Sequence, residues 1–234
     1  MKVVSLSDIG SIRNRNEDRF LVREEEGLFV ICDGMGGHKG GDIASSLAIE
    51  TIEKEINENP QINLDVLNQA IRKANLRIWQ EGHNNPDWHE MGTTITIAKI
   101  TDMRIDICHV GDSRLYLIRD KEIKQITKDH TLAAELVERG ISEKEPNSYS
   151  HILTRALGVD KEIDIDNISF DLYKEDIILL CSDGLSDMLS DQELYSIITK
   201  NNDIAEIGNN LLQEALTKGG YDNITLILVQ LSGR

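Results

Sequence analysis

Gly27-Leu28-Phe29-Val30-Ile31-Cys32-Asp33-Gly34-Met35-Gly36-Gly37-His38 decides how this chain is read. Its first half is the most apolar of the strand-like runs, and its second half is a glycine-rich turn. A buried run delivers the Asp33 carboxylate, and the turn lets it point at something. The construction recurs at Cys181-Ser182-Asp183-Gly184 and at Gly219-Gly220-Tyr221-Asp222-Asn223, with Asp18 in Arg15-Asn16-Glu17-Asp18 as a fourth case. One Asp-Gly pair is ordinarily only a turn. An ordered set at strand ends is different, because distant carboxylates converge only in a folded site. Hard divalent cations need oxygen ligands of this kind. The pattern points to a hydrolase that holds two metal ions.

Working outward, residues 2–8 and 19–32 read as strands. Residues 42–57 switch to helical spacing, with Ile43, Leu47, Ile52 and Ile56 near one face. Residues 64–81 repeat this with Leu67, Ile71, Ala74 and Ile78. Segments 93–101, 103–110 and 114–119 alternate and are joined by tight turns, which predicts an antiparallel meander. A short helix is expected over 130–140, ending at Gly140. Strands follow at 163–172 and 176–182. Ser190-Asp191-Gln192-Glu193 is a capping box that opens a helix. Another helix spans about 203–218 and stops at Gly219-Gly220, before a last strand at 224–231. Helix pairs between runs of antiparallel strands give an α+β fold of two packed, mainly antiparallel β-sheets flanked by helix pairs, an α-β-β-α sandwich. No linker or repeat divides residues 1–234, so they read as one domain. The polar stretch within 128–158 reads as a flap or binding loop.

The 234 residues are 40% hydrophobic and carry a formal net charge of −16. That charge argues against nucleic acid, whose phosphates need a basic surface. No apolar run approaches the roughly 20 residues of a membrane helix. Cys32, Cys108 and Cys181 lack metal-knuckle spacing and read as buried reduced thiols. The odd count and the polar N-terminus predict a reducing, cytoplasmic setting.

Taken in order, Arg13 with Asn16-Glu17-Asp18, then Asp33-Gly34-Met35-Gly36-Gly37-His38, Gly92-Thr93-Thr94, Val110-Gly111-Asp112-Ser113-Arg114, Ser182-Asp183-Gly184-Leu185 and Gly220-Tyr221-Asp222-Asn223 form a specific set. In this set the chain resembles the metal-dependent Ser/Thr protein phosphatases of type 2C, in their compact bacterial form, along essentially its whole length. The resemblance implies hydrolysis of phosphoserine and phosphothreonine by a hydroxide bridging two Mn²⁺ or Mg²⁺ ions, with no phosphoenzyme. Asp33 would bridge the ions, and Asp183 and Asp222 would complete the first ion's protein ligands. The Gly34 carbonyl would bind the second ion, with Glu17 and Asp18 acting largely through its waters. Bacterial relatives often hold a third, weaker ion, here on Asp112 and Asp183. Arg13 would grip the substrate phosphate. Phosphorylated proteins are the implied partners, with a cognate Ser/Thr kinase as the opposing enzyme. Water between two cations about 3.5–4 Å apart is acidified enough to serve as the nucleophile. The glycines at 36–37 and 40–41 permit the tight turn that would bring a carbonyl onto a metal.

The chain departs from some relatives at Met35, where they carry a histidine proposed as the leaving-group acid. Met35 has no proton to donate. His38 is expected to pack or hydrogen-bond the turn, His83 and His89 to lie on a surface loop, and His109 to be a satisfied interior residue. Two other phosphatase chemistries fit short strings. Cys108 and Arg114 match Cys-x-x-Gly-x-x-Arg, the phosphate loop of cysteine phosphatases, but Leu115-Tyr116-Leu117-Ile118 reads as a strand where that chemistry needs a helix. Asp164-Ile165-Asp166 matches the Asp-x-Asp of an aspartyl nucleophile without its following turn. A third alternative is a catalytically silent phosphopeptide-binding module, which would normally have lost its metal carboxylates.

Overall fold

A computed structural model describes residues 1–36, 40–141 and 149–231. Its strands are Lys2–Asp8 (β1), Arg19–Arg23 (β2), Leu28–Cys32 (β3), Gly34–Met35 (β4), Gly92–Thr93 (β5), Ile95–Thr101 (β6), Arg104–Val110 (β7), Arg114–Arg119 (β8), Glu122–Gln125 (β9), Asp166–Asp171 (β10), Ile177–Cys181 (β11) and Ile224–Gln230 (β12). The helices are Gly40–Glu58 (α1), Leu64–Asn84 (α2), Leu132–Glu138 (α3), Asp183–Ser186 (α4), Asp191–Lys200 (α5) and Ile204–Thr217 (α6). One sheet runs β1-β12-β11-β8-β9 and the other β10-β7-β6-β3-β2. Every neighbouring pair in both is antiparallel.

The side-chain period of two sorts each central strand between two cores. On β3, Phe29 and Ile31 face the other sheet and meet Leu115, Leu117, Ile178, Leu180, Ile227 and Val229. Leu28, Val30 and Cys32 face outward and pack under α1 and α2. Burial on both faces explains the unbroken apolar run of β3. On the far side, Leu226 and Leu228 of β12 pack with Leu179 of β11 under α5 and α6, through Leu194, Ile198, Ile207 and Leu211. The layers are therefore helix, sheet, sheet, helix, as the pattern predicts. The capping box forms as read: the Ser190 N–H donates to Glu193 Oε2 at 3.0 Å.

Three local expectations change. The meander breaks after one hairpin: β6 pairs with β7, but β8 leaves that sheet and pairs with β11 and β9 in the other. Alternation marks a strand and its faces, not the sheet that it joins. On α1 the fully buried stripe is Ala44, Ala48, Ile52 and Ile56, while Ile43 and Leu47 pack only at its flank. Alanines at the contact let the helix approach the sheet closely. The polar strand β9, with alternating exposure, and the single-turn helix α4 are absent from the pattern-based reading. Gly37, His38 and the polar part of the flap at 142–148 lie outside the described residues.

Candidate active site and metal centre

The ends of β1, β3, β7 and β11 and the starts of β2 and β12 meet at one end of the sandwich, around a cavity of about 1390 Å³. Its lining includes Arg13, Glu17, Asp33, Gly34, Asp112, Asp183 and Asp222. Of the residues assigned to the metals and the phosphate in the sequence, only Asp18 is absent from the wall. It lies beneath the floor at 3% exposure, where Ser182 Oγ donates to its Oδ2 at 2.7 Å.

Each carboxylate is placed by backbone bonding at a strand end. The Asp33 N–H donates to Thr94 Oγ1 at 2.9 Å, and the Asp33 carbonyl accepts from Thr94 N–H and Thr93 Oγ1, both at 2.8 Å. Asn223 staples the β1–β2 loop. Its Nδ2 donates to the carbonyls of Ile9 and Arg15 at 2.9 Å, and its Oδ1 accepts from the Glu17 N–H at 2.8 Å. Gly34 faces the start of α1 so closely that a Cβ there would lie 2.2 Å from the Gly41 carbonyl oxygen. Any side chain at position 34 would push the helix away from the floor.

The floor holds unbalanced negative charge. Burial, then the neighbouring carboxylates of Asp18, Asp183, Asp112 and Asp222, hold the Asp33 acid well above its ordinary range. Burial followed by Asp112, Asp187 and Asp222 does the same to Asp183. Burial pushes Asp18 up to about 6 and, with Asp129, Asp112 up to about 7. Glu17 is raised for the same first reason. Buried Asp18 Oδ1 and Asp183 Oδ1 have no hydrogen-bond partner. Carboxylate oxygens without donors, crowded against one another, are costly unless a cation joins them. Arg13 is the nearest answer on the wall, and its Nη2 lies 2.6 Å from Asp222 Oδ2. Partial burial opposes the guanidinium charge, but the bond to Asp222 outweighs it and strengthens that charge.

Two wall residues were missed in the sequence. Asp187 lies four residues after Asp183, one helical turn on, so the two share a face of the turn. His151 comes from the flap, with Nδ1 3.5 Å from Asp187 Oδ2. Ligand atoms of His151, Asp183 and Asp187 all lie within 4.8 Å of one another. The Asp183–Asp187 spacing was readable beforehand; nothing in the chain signals that His151 folds back to meet them.

The competing chemistries fail on geometry. Cys108 is fully buried, its Sγ donates to Asn167 Oδ1, and burial pushes its thiol up to about 12. Arg114 is committed to Asp129, at 2.7 Å, and to the Tyr116 hydroxyl, at 3.0 Å, and it opens a strand. The cysteine-phosphatase alternative is therefore wrong. Asp166 is held by Arg155 and His130, outside the cavity lining. His89 is exposed and His109 is buried against Thr96 and the Lys128 carbonyl, as expected; His83 is exposed too, but it lies in the last turn of α2 and not on a loop. All three cysteines are free and buried. Thiol alkylation of the native protein will leave turnover unchanged while a chelator removes it, and loss of activity on alkylation alone would contradict this placement.

A carboxylate floor with an arginine at its edge, on paired antiparallel sheets, defines a metal-dependent phosphoester hydrolase. The chain belongs to the protein phosphatase 2C family, whose model matches residues 5–224. It is 33% identical over 235 residues to the serine/threonine phosphatase stp of Listeria welshimeri, covering 96% of this chain and 93% of that protein. It is 33% identical over 245 residues to the protein phosphatase PhpP of Streptococcus pneumoniae, covering 99% and 98%. Its fold matches the catalytic domain of the serine/threonine protein phosphatase PstP in complex with two manganese ions, with TM-score 0.89, 35% identity and coverage of 99% and 98%. As a family member the chain is a metal-dependent serine/threonine protein phosphatase whose substrates are phosphorylated proteins, and the silent-module alternative falls. Among the described residues no helix is long and apolar enough to cross a membrane.

Proposed function

We propose that Asp33, Asp183 and Asp222, with the Gly34 carbonyl, hold two divalent ions on the cavity floor. Glu17 and Asp18 support them from behind, and Asp112 with Asp183 serves a weaker third site. The observation that carries this reading is the convergence of buried carboxylates whose oxygens lack donors. An all-oxygen donor set of this charge suits Mn²⁺ or Mg²⁺. Bound there, the ions would supply Lewis acidity, drawing charge from the phosphoryl oxygens and making water acidic enough to attack. The protein's own groups fix the geometry. Thr93 and Thr94 hold the Asp33 backbone, and Asn223 holds the loop that carries Arg13 and Glu17. Arg13 would exchange Asp222 for the substrate phosphate, whose oxygens match the guanidinium fork. Met35 lines the cavity without a proton to give, so the proton for the leaving alkoxide comes from a group other than residue 35.

Residues 1–234 act on this reading as one catalytic unit, with segment 128–158 as a flap that tunes substrate entry. The substrates are proteins phosphorylated on serine and threonine by a cognate kinase, in the reducing cytoplasm that suits the three free thiols. The net charge of −16 disfavours nucleic acid as a partner. A phosphopeptide assay with and without Mn²⁺, against a chelator control, tests the metal assignment. Calorimetric titration tests the third site: Asp112→Ala should lose the weakest binding event and keep the others, and an unchanged isotherm would remove Asp112 from the ligand set.

Arg13→Ala should raise KM for a phosphopeptide about 10- to 100-fold, the scale of a lost charge-assisted contact. The inhibition constant of inorganic phosphate should rise with it, while kcat changes less. A collapsed kcat with unchanged KM would instead assign Arg13 to ordering Asp222.

A further inference from the structure

The cavity is larger than a phosphate group requires. Its volume of about 1390 Å³ exceeds the roughly 300–1,000 Å³ typical of small-molecule sites. That space admits a peptide segment as well as its phosphate. The mouth also carries exposed apolar side chains: Ile12 at 64% exposure, Tyr221 at 62% and Ile152 at 47%. Ile12 directly precedes Arg13, and Tyr221 directly precedes Asp222, so the two flank the Arg13–Asp222 pair.

Single exposed apolar residues are ordinary, but these two are held in place. The Ser11 N–H donates to the Gly220 carbonyl at 2.7 Å, tying the two loops together. Asn223 bonds the backbone on both sides of Ile12, at Ile9 and Arg15. The Tyr221 ring lies against Gly219, where a Cβ would be 2.6 Å from the ring carbon Cζ. Gly219 has φ +132°, so both its backbone and its missing side chain seat the ring. Other exposed apolar residues differ. Met103 lies in the β6–β7 turn at the opposite end of the sandwich, and Tyr173 is covered by the Arg119 guanidinium at 4.2 Å. A rigid apolar surface loses little entropy on binding.

We propose that Ile12 and Tyr221 form a shelf for an apolar side chain of the substrate, one or two residues from the phosphorylated serine or threonine. The shelf is continuous with the cavity and adjoins the group assigned to the phosphate, so the proposal rests on the Arg13 reading above. It makes the enzyme selective for apolar flanks over polar or acidic ones of the same phosphopeptide.

The test is a set of phosphoserine peptides in which each flanking position in turn carries Leu, Gln or Glu, assayed in Mn²⁺. At one flank the Leu peptide should exceed the Gln peptide in kcat/KM by about five- to tenfold, as expected for partial burial of a leucine. The gain should fall mainly in KM. Ile12→Ser and Tyr221→Ser should each shrink the Leu/Gln ratio, and the double variant should bring it near one. Met103→Ser should leave it intact. The ratio is taken within each variant, so general damage to the active site does not mimic the result. Equal turnover of Leu and Gln peptides by the native enzyme overturns the shelf, as does a ratio that survives in the double variant or a preference for Glu. The phosphate assignment fails separately, by an unchanged KM in Arg13→Ala.

Discussion

Asp33→Asn will lower turnover of a phosphoserine peptide by about a thousandfold or more, the scale expected when several kcal/mol of transition-state charge stabilisation is lost. The same change will not weaken the metal-free fold. Asp33 is crowded by Asp18, Asp183, Asp112 and Asp222, which hold its proton on well above the ordinary range. An amide resembles the protonated acid in shape and charge. In chelator the variant should therefore match the native protein at about pH 3.5, below the unfolded value, where both are largely uncharged at this position in the folded and unfolded chains alike. At about pH 8 the variant should be the more stable, since it never bears the cost of keeping or losing that proton. Manganese should then raise the melting temperature of the native protein and much less that of the variant. Calorimetry in chelator and in Mn²⁺, beside the peptide assay, checks all three. A variant destabilised in chelator at both pH values would mean that Asp33 supports the fold itself, against the reading of a strained metal ligand.

Much of this was legible because it depends on short-range rules. The run Leu28–Cys32 is continuous because β3 lies between two cores, and the alternating strands, the helix spacing of α2 and the capping box at Ser190 all formed as read. The convergence of Asp33, Asp183 and Asp222 was predictable from their places at strand ends. What escaped depends on long-range choices. Nothing in Arg114–Arg119 says which sheet it joins, because a strand of either sheet is buried on both faces, here Leu115 and Leu117 between the sheets and Tyr116 and Ile118 under the helices. The buried stripe of α1 centred on alanines, since close approach of backbones decided the contact and residue size did not mark it. Asp18 went beneath the floor because Ser182 offers it a hydrogen bond there, a partner 164 residues away in the chain. The meeting of His151 with Asp187 depends on how the flap folds back, which no local pattern encodes.

The metal-free protein will lose stability as pH rises above 6.5, and the metal-loaded protein will not. Unfolded aspartates titrate near their model value of 3.8, whereas folded Asp18 is raised to about 6 and Asp112 to about 7, and Asp33 and Asp183 are raised well above the model value too. Burial is the first cause in each case, and crowding by like charge adds to it. A raised acid contributes stability that is fully present below the unfolded pKa and is lost as pH rises through the folded one. Two histidines oppose this at lower pH. Burial lowers His109 to about 4 and also lowers His130, so their contributions grow as pH rises toward the unfolded value of 6.5. Above that value the histidines add nothing further, and the acids alone set the slope. In chelator the melting temperature should therefore fall between pH 6.5 and about 8. With saturating Mn²⁺ the slope should vanish or reverse, because ligand carboxylates bind metal only when deprotonated and higher pH removes their competing protons. Scanning calorimetry at matched ionic strength, in buffers that do not bind manganese, separates the two curves. Parallel curves would mean that these carboxylates are not the groups that meet the metal.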